Sequence, residues 1–563
     1  MIYHCEDHTC NYWDEGEKLP ERCPQCGRKL LRANEADMTG DDWTALGNTL
    51  WDAEASDKKR MVDCFRKAAY LGSAWGVCNL GICMEQGNGV EADPVQAFWL
   101  YQQAVEMGSL NAVCCLGVCY QYGIGTAPDA KQAAELYCKA AEYGSPRGQM
   151  LLARAFHDGI GVEADAAEAV YWVRAAAYQR YGEGMHRLGV CYEYGDGVEQ
   201  NWERAVHWFR EAAESGVGVA MTDLGYCYEK GCGVEQNWQE AIKWYEQGAQ
   251  CGDLQSMHNL ACCYEGGEGV EQNEDRAFYW YRRSAEGGNG SAMCNLGRCY
   301  KRGYGVEQNW QEAVKWYEQG AQCGNLQSMH NLACCYEHGE GVEQNMTEAI
   351  RWYTAAAEGG NADDMYELGW QYDHGEGVEQ DMKKAICWYE RAAEQNHPAA
   401  MNSLGECYAM GRGVPRDLET AMEWYRRAAE LGEAMADYNM GWHLEQAGKL
   451  SEAYTHYRKA ADGNDDSAWW ALGRFYENGV VVAQDGKEAR RCYETGEKLG
   501  SVKCKMRLAR CKLLGIGGRR AKKAGLDLCR QALELAKESS EKEDYGYEAE
   551  MNLLRRTIAE NES

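Results

Sequence analysis

The chain of 563 residues repeats itself every 36 residues, and this periodicity restricts it to architectures that stack copies of one unit. A Leu-Gly dipeptide or a close variant marks each copy. Steps of 36 residues separate the copies at Leu80, Leu116, Leu152, Leu188, Leu224, Leu260, Leu296, Leu332, Leu368, Leu404 and Met440. A further copy at Leu46 precedes them, and copies at Leu472 and Leu508 follow. The repeat therefore predicts a stacked array instead of several independent globular domains.

Each unit is predicted to contain two helices. In residues 221–228 apolar side chains recur at intervals of three and four, which indicates one face of a helix. The glycines of residues 231–234 break that pattern, because glycine adopts the backbone angles of a turn. Asn237 then offers an N-cap for a second helix over residues 238–249. A helix pair cannot bury both faces alone, so neighbouring units must stack.

Two stretches of the array are nearly identical. Residues 233–273 and 305–345 differ only at the pairs Ile242/Val314, Asp253/Asn325 and Gly266/His338. This similarity indicates a recent duplication of a block of two repeats.

The repeat motif is carried, in one copy, by Ala292, Leu296, Gly297, Tyr300, Gly303, Gly305, Val306, Asn309, Ala313, Trp316 and Tyr317. This motif resembles the Sel1-like repeat, a relative of the tetratricopeptide repeat, and the resemblance covers roughly residues 40 to 515. The copy at Met440 departs from it, because it lacks the double-glycine loop, and the next copy follows after only 32 residues. The resemblance implies an all-α fold, an α/α solenoid of about thirteen helix pairs.

We expect three domains. A zinc-ribbon-like domain is predicted over residues 1–34, the Sel1-like solenoid over residues 38–515, and C-terminal capping helices over residues 516–563. The last segment loses the repeat and becomes charged, as the polar outer face of a terminal unit requires.

The 28 cysteines are predicted to be mostly free thiols or metal ligands. Eight of them recur two residues after the Leu-Gly glycine, where a small residue allows close helix packing: Cys83, Cys119, Cys191, Cys227, Cys263, Cys299, Cys335 and Cys407. The first ten residues lack the basic and apolar regions of a secretory signal. A cytoplasmic location, in which thiols stay reduced, is therefore expected.

Two aromatic series follow the repeat. We predict a core ladder from Trp172, Trp208, Trp244, Trp280, Trp316, Trp352, Trp388 and Trp424, together with the Tyr or Phe that usually follows each of them. Three further tryptophans directly follow an N-cap Asn and should lie partly exposed on one rim: Trp202, Trp238 and Trp310.

The two residues before each repeat leucine are not fixed by packing and are expected to face the concave side of the solenoid. In tetratricopeptide arrays, which the repeat resembles, an Asn directly before Leu-Gly often bonds the backbone of an extended peptide. The candidate peptide-binding residues are Asn259, Asn295, Asn331, His258 and His330. The histidines suggest that binding changes across mild acid, because unperturbed His titrates near pH 6.5. The alternative is that the amides bond neighbouring helices.

The N-terminal segment carries two cysteine pairs, Cys5 with Cys10 and Cys23 with Cys26. Four thiolates on tight turns converge on one tetrahedral metal, and Zn²⁺ is the commonest occupant. The segment resembles a rubredoxin-like zinc ribbon, although its first pair is spaced by four residues where two are usual. We predict one structural zinc per chain, with iron and a ligand role for His8 as open alternatives.

The charge of the chain and the absence of known motifs exclude several classes of function. Lys and Arg total 58 against 88 Asp and Glu, and the net charge of −30 argues against nucleic acid as a partner. No run of eighteen apolar residues is present, so no membrane insertion is expected. The motifs of serine hydrolases, zinc proteases, P-loop proteins and dinucleotide-binding enzymes are missing. We predict a non-catalytic scaffold that binds a protein or peptide in its concave groove. Some Sel1-like proteins are labelled β-lactamase-like hydrolases, and this resemblance supplies the alternative.

Overall fold

The computed structural model describes residues 2–5, 13–15, 30–32, 38–51, 55–542 and 548–562. The predicted α/α architecture is confirmed, because helices follow one another from Gly40 to Glu562 and pack in consecutive pairs. Among the described helices, none is both long enough and apolar enough to span a lipid bilayer.

Three short strands precede the helices: β1 (Ile2–Cys5), β2 (Trp13–Glu15) and β3 (Leu30–Arg32). They form an antiparallel sheet in the order β2-β1-β3. His4 lies opposite Trp13 and Cys5 lies opposite Leu30. The end of β1 therefore meets the first residues of both neighbouring strands at one edge of the sheet.

The described helices form fourteen pairs and one final single helix, where the sequence predicts about thirteen pairs. The first members, which we call A helices, are α1 (Gly40–Thr49), α3 (Ala74–Gln86), α5 (Leu110–Tyr122), α7 (Pro146–Asp158), α9 (Gly182–Tyr194), α11 (Gly218–Lys230), α13 (Leu254–Gly266), α15 (Gly290–Arg302), α17 (Leu326–His338), α19 (Ala362–His374), α21 (Pro398–Met410), α23 (Ala434–Gln446), α25 (Asp466–Asn478) and α27 (Val502–Leu514).

The second members, which we call B helices, are α2 (Ala55–Tyr70), α4 (Pro94–Glu106), α6 (Ala130–Glu142), α8 (Ala166–Tyr178), α10 (Trp202–Glu214), α12 (Trp238–Gln250), α14 (Glu274–Glu286), α16 (Trp310–Gln322), α18 (Met346–Glu358), α20 (Met382–Glu394), α22 (Leu418–Glu430), α24 (Leu450–Asp462), α26 (Gly486–Lys498) and α28 (Lys522–Lys542). Helix α28 completes the additional pair by packing on α27, and α29 (Glu548–Glu562) contacts both of them.

Local sequence signals fix the ends of the helices. The side chain of Asn237 accepts hydrogen bonds from the backbone N–H groups of Gln239 and Glu240, which caps α12 as predicted. Gly231 adopts the left-handed conformation after α11 and donates its N–H to the carbonyl of Cys227. The same two signals recur in most repeats, so the helices keep nearly constant lengths.

The predicted core ladder is confirmed for the tyrosines that follow the tryptophans, whereas most of the tryptophans pack against the border of the core. Tyr245 on α12 is fully buried, while most of the tryptophans are half-buried on the flank of their helix. Glycine of the Leu-Gly dipeptide makes room for the tyrosine, because a Cβ atom at Gly225 would lie 2.5 Å from the ring of Tyr245. The ring thereby ties the two helices of a pair closely together.

A second glycine brings successive repeats together. Gly233 has a φ of +70°, and a Cβ atom there would overlap the backbone of Trp202 at the start of α10. Only glycine satisfies both constraints, so the loop after α11 rests directly on the preceding B helix. The repeat cysteines pack as predicted, since all eight are buried free thiols.

Contacts divide the chain into two compact units. The first contains Met1–Ala292 with Tyr304–Val306, and the second contains Met293–Gly303 with Glu307–Ser563. Each unit has its own apolar core, for example around Leu224 in the first and around Leu404 in the second.

Candidate protein-binding surface

The five predicted binding residues occupy the two positions before the repeat leucine on A helices, and we call these positions the A-helix row. All five side chains are half-buried, so each of them meets both protein and solvent: His258, Asn259, Asn295, His330 and Asn331. The first two belong to the first unit and the other three to the second unit. The leucine and cysteine positions beside them supply the core, as the sequence predicts.

In the second unit His330 contacts a carboxylate and a thiol. Its Nδ1 lies 2.7 Å from Oδ1 of Asp364 on α19, and its Nε2 lies 3.6 Å from Sγ of Cys334, which lies with His330 on α17. The hydrogen bond with Asp364, followed by that with Cys334, raises the pKa of His330 to about 10. The expectation that His330 changes charge in mild acid is therefore wrong, because the imidazole stays protonated there.

The amides of the row differ in what they bond. Asn331 donates Nδ2 to Sγ of Cys294 on α15, at 3.4 Å. Asn439 on α23 donates its Nδ2 to Oδ1 of Asn402 at 3.0 Å and to Oε1 of Glu406 at 3.2 Å. Both amides connect adjacent A helices, which is the alternative that the sequence leaves open. Peptide binding by the same amides stays a prediction.

In the first unit the row residues contact side chains of their own helix, α13. Gln255 donates Nε2 to Oδ1 of Asn259 at 2.8 Å and lies 3.3 Å from Nδ1 of His258. The Nε2 atom of His258 lies 3.8 Å from Sγ of Cys262, one turn further along α13. The histidine and cysteine thus repeat the arrangement of His330 and Cys334, as the duplicated sequence requires.

Sequence reasoning missed the partners of the row. Asp364 is fully buried, and its second oxygen, Oδ2, has no hydrogen-bond partner among the described residues. The ring of Tyr366 stacks on that of His397, with 5.0 Å between the ring centres. A Cys four residues after each row histidine was the available signal, because such residues share one helix face.

A cavity of about 410 Å³ opens in the first unit where the tyrosine ladder is interrupted. The ladder residue of α8 is Val173, and the smaller side chain leaves the space that a ring fills in other repeats. His157 lines the cavity at the position where Glu229 accepts the hydroxyl of Tyr245 in another repeat. The rest of the lining includes Met150, Arg154, Arg187 and Cys191.

Other sequence predictions concern the surface. The rim tryptophans Trp202, Trp238 and Trp310 are half-buried, and the ring of Trp310 lies under Nζ of Lys301 at 4.9 Å. The predicted zinc ligands Cys10, Cys23 and Cys26 lie outside the described residues, and only the backbone of Cys5 is described.

The fold is thus that of an α/α repeat protein with helix pairs of 36 residues. The Sel1 repeat matches twelve consecutive segments: 76–109, 112–145, 146–181, 182–217, 218–253, 254–289, 290–325, 326–361, 362–397, 398–433, 434–465 and 468–501. The chain therefore belongs to the Sel1 repeat family.

Solved structures agree with this assignment. The protective antigen c5321 of uropathogenic Escherichia coli, described as displaying an SLR fold, is 28% identical, with a TM-score of 0.55. The match covers 76% of this chain and 94% of that protein. A Sel1 repeat protein from Oxalobacter formigenes is 31% identical over 43% of this chain and 96% of its own, with a TM-score of 0.40. The search of curated proteins found no relative. A Sel1-repeat solenoid is an architecture typical of protein–protein interaction scaffolds.

Proposed function

We propose that the protein is a non-catalytic scaffold that holds a protein or peptide along the A-helix row of its helix pairs, the side predicted to be concave. The supporting observation is that these positions carry half-buried polar side chains, while leucine, cysteine and tyrosine fill the core. The binding residues are His258 and Asn259 in the first unit, and Asn295, His330 and Asn331 in the second. Free thiols in the described part of the chain favour a reducing, cytoplasmic compartment.

The bond of Asn331 supports this proposal most directly. Sulfur is a weak acceptor, so the amide loses little when it exchanges Cys294 for a peptide carbonyl. Within one unit, as between the helices of Asn295 and Asn331, usual helix packing gives a spacing of about 10 Å, and three residues of an extended peptide span about the same distance. An extended peptide therefore meets one amide of the row every three residues.

We further propose one structural zinc held by Cys5, Cys10, Cys23 and Cys26, because four thiolates are a preferred ligand set of Zn²⁺. The edge at which the end of β1 meets the starts of β2 and β3 supports this set. Cys5 lies at that edge, Cys10 precedes β2 by three residues and Cys26 precedes β3 by four.

The test uses partners found by proximity labelling in the native host and then purified. We expect the triple variant Asn259→Ala, Asn295→Ala, Asn331→Ala to bind such a partner more weakly by on the order of 1 kcal/mol per lost bond. Calorimetry measures the affinity, and thermal melting shows whether the array stays folded.

The matched control is Asn439→Ala, which removes an amide with two good oxygen acceptors. This change should lower the melting temperature and leave affinity nearly unchanged. The proposal is wrong if the triple variant melts far below the parent yet binds equally well when folded. Turnover of a chromogenic β-lactam, abolished by one point change, would instead establish the hydrolase.

A further inference from the structure

Three side chains of the second unit lie in the order thiol, imidazole and carboxylate. Cys334 and His330 are one turn apart on α17, with 3.6 Å between Sγ and Nε2. His330 reaches Asp364 on α19 with its other nitrogen at 2.7 Å. Cys334 and His330 are half-buried, whereas Asp364 is fully buried. The thiol and the imidazole are therefore open to a small reagent, and the carboxylate is not.

The buried carboxylate determines the protonation of the imidazole. Burial raises the pKa of Asp364, and the hydrogen bond with His330 opposes that rise, because a buried carboxylate without a cation is costly. His330 therefore donates from Nδ1 to Asp364, and its second N–H, on Nε2, points to the sulfur of Cys334. A cationic donor at this distance stabilises a thiolate over a thiol.

We propose that Cys334 is a nucleophilic thiolate, activated by His330 and positioned through Asp364, which takes up soft carbon electrophiles of the α,β-unsaturated carbonyl class. This inference is independent of the proposed scaffold function. It assigns a modification site to α17, one turn after a residue of the A-helix row, and does not require a bound protein partner.

The addition balances without a further reactant. The sulfur lone pair of Cys334 forms a bond to the β-carbon of the electrophile, and the carbon–carbon π electrons move toward the carbonyl oxygen. The α-carbon then takes the proton that His330 holds on Nε2. The products are a neutral thioether and a neutral imidazole, which remains hydrogen-bonded to Asp364.

Other charged and titratable groups surround the pair. Tyr353 on α18 lies 3.4 Å from Sγ of Cys334 and donates its hydroxyl to Glu337 of α17 at 2.6 Å. Glu367 on α19 lies near His330, and burial raises the pKa of this carboxyl. On α15, Arg298 occupies the repeat position that Cys334 occupies on α17. The two glutamates oppose a thiolate, and the protonated His330 favours it.

The duplicated sequence supplies an internal reference. Cys262 and His258 repeat the thiol and imidazole, with 3.8 Å between Sγ and Nε2. Asp364 comes 34 residues after His330, whereas Ala292 comes 34 residues after His258. The two cysteines therefore share a duplicated block but face different A helices, because α19 carries Asp364 and Glu367 where α15 carries Ala292 and Asn295.

The experiment treats the full-length protein with N-ethylmaleimide and follows each cysteine by site-resolved mass spectrometry between pH 5 and 9. At pH 6.5 we expect Cys334 to react about tenfold faster than Cys262. The alkylation rate of Cys334 should stay near its high-pH value well below pH 8.5, where an ordinary thiol titrates. Cys335 serves as the unreactive neighbour, because burial raises its pKa to about 12.

The test variant is Asp364→Asn, which keeps the shape of the side chain and removes its charge. We expect the rate of Cys334 at pH 6.5 to fall about tenfold and its pH profile to move toward pH 8.5, while the rate of Cys262 stays the same. Equal profiles for Cys334 in both proteins would overturn the proposal. If the variant unfolds, Cys335 also reacts. The pH dependence of the wild-type rate then decides, and a Cys334 rate that rises only near pH 8.5 overturns the proposal.

Discussion

Single side chains distinguish repeats that the sequence makes almost identical. His258 and His330 stand in duplicated blocks, yet the first contacts the amides of Gln255 and Asn259, and the second contacts Asp364. The carboxylate belongs to the following repeat, where the duplication no longer holds. The raised pKa of His330 therefore depends on a side chain of the neighbouring repeat.

The bond between His330 and Asp364 predicts how stability depends on pH. The pKa of His330 is about 10 in the folded protein and near 6.5 in the unfolded chain, so the bond contributes fully below pH 6.5. That contribution falls as the pH rises through 10. Its size is about 1.5–3 kcal/mol, typical of a hydrogen bond to a charged group.

Urea unfolding at pH 6 and pH 10 checks this dependence. We expect the wild type to lose stability over this range relative to Asp364→Asn, which lacks the charged acceptor. Equal losses of unfolding free energy in the two proteins would contradict the view that Asp364 raises the pKa of His330.

Twelve of the fourteen described helix pairs are closed by one ring of the ladder. The aromatic members are Phe65, Tyr101, Tyr137, Phe209, Tyr245, Tyr281, Tyr317, Tyr353, Tyr389, Tyr425, Tyr457 and Tyr493. Cys529 on α28 and Val173 on α8 stand at the other two positions, and Val173 lines the same cavity as His157. The pair α7 and α8 therefore lacks a contact that most other pairs have.

Filling this cavity should stabilise the first unit. We expect Val173→Tyr to raise the midpoint of thermal unfolding, because the new ring would bury apolar area beside Ala153, as Tyr281 is buried in the repeat that carries Ala261. The matched control is Tyr245→Val, which creates a similar cavity and leaves Glu229 without its hydroxyl donor. That change should cost on the order of 3 kcal/mol. Differential scanning calorimetry measures both, and a lower midpoint for Val173→Tyr would show that the cavity cannot hold the ring.

At the scale of the whole molecule, stability is distributed along the array. Each repeat contacts mainly its neighbours, so the energy is close to a sum over repeats and their interfaces. The N-terminal segment does not share the repeat, and a segment of this size rarely supplies enough core of its own. A bound metal can replace that missing core.

The zinc proposal therefore predicts that the protein can lose its metal without losing its helices. Native mass spectrometry should detect one zinc per chain, and Cys23→Ser with Cys26→Ser should release it. Far-ultraviolet circular dichroism should remain nearly unchanged, because the helix pairs have their own cores. Iron, two metals, or a large loss of helix on metal release would each disagree with this prediction.

The sequence by itself determined the helix pairs. The predicted helix over residues 238–249 corresponds to α12, Trp238–Gln250, and the Asn237 cap and the glycine turn lie where the pattern places them. These features depend on contacts within a few residues, so they can be predicted from the sequence of one repeat. The sequence also required stacking, because one helix pair cannot bury both of its faces alone.

Only the tertiary structure decided which ring enters the core and what the row residues bond. Trp316 and Tyr317 are adjacent in the pattern, but the space over Gly297 admits the tyrosine and leaves the tryptophan half-buried. The partner of His330 lies 34 residues away, on another repeat, at a position that varies between copies. Periodicity fixes the repeated contacts, whereas a bond between two non-repeating side chains depends on how neighbouring repeats are stacked.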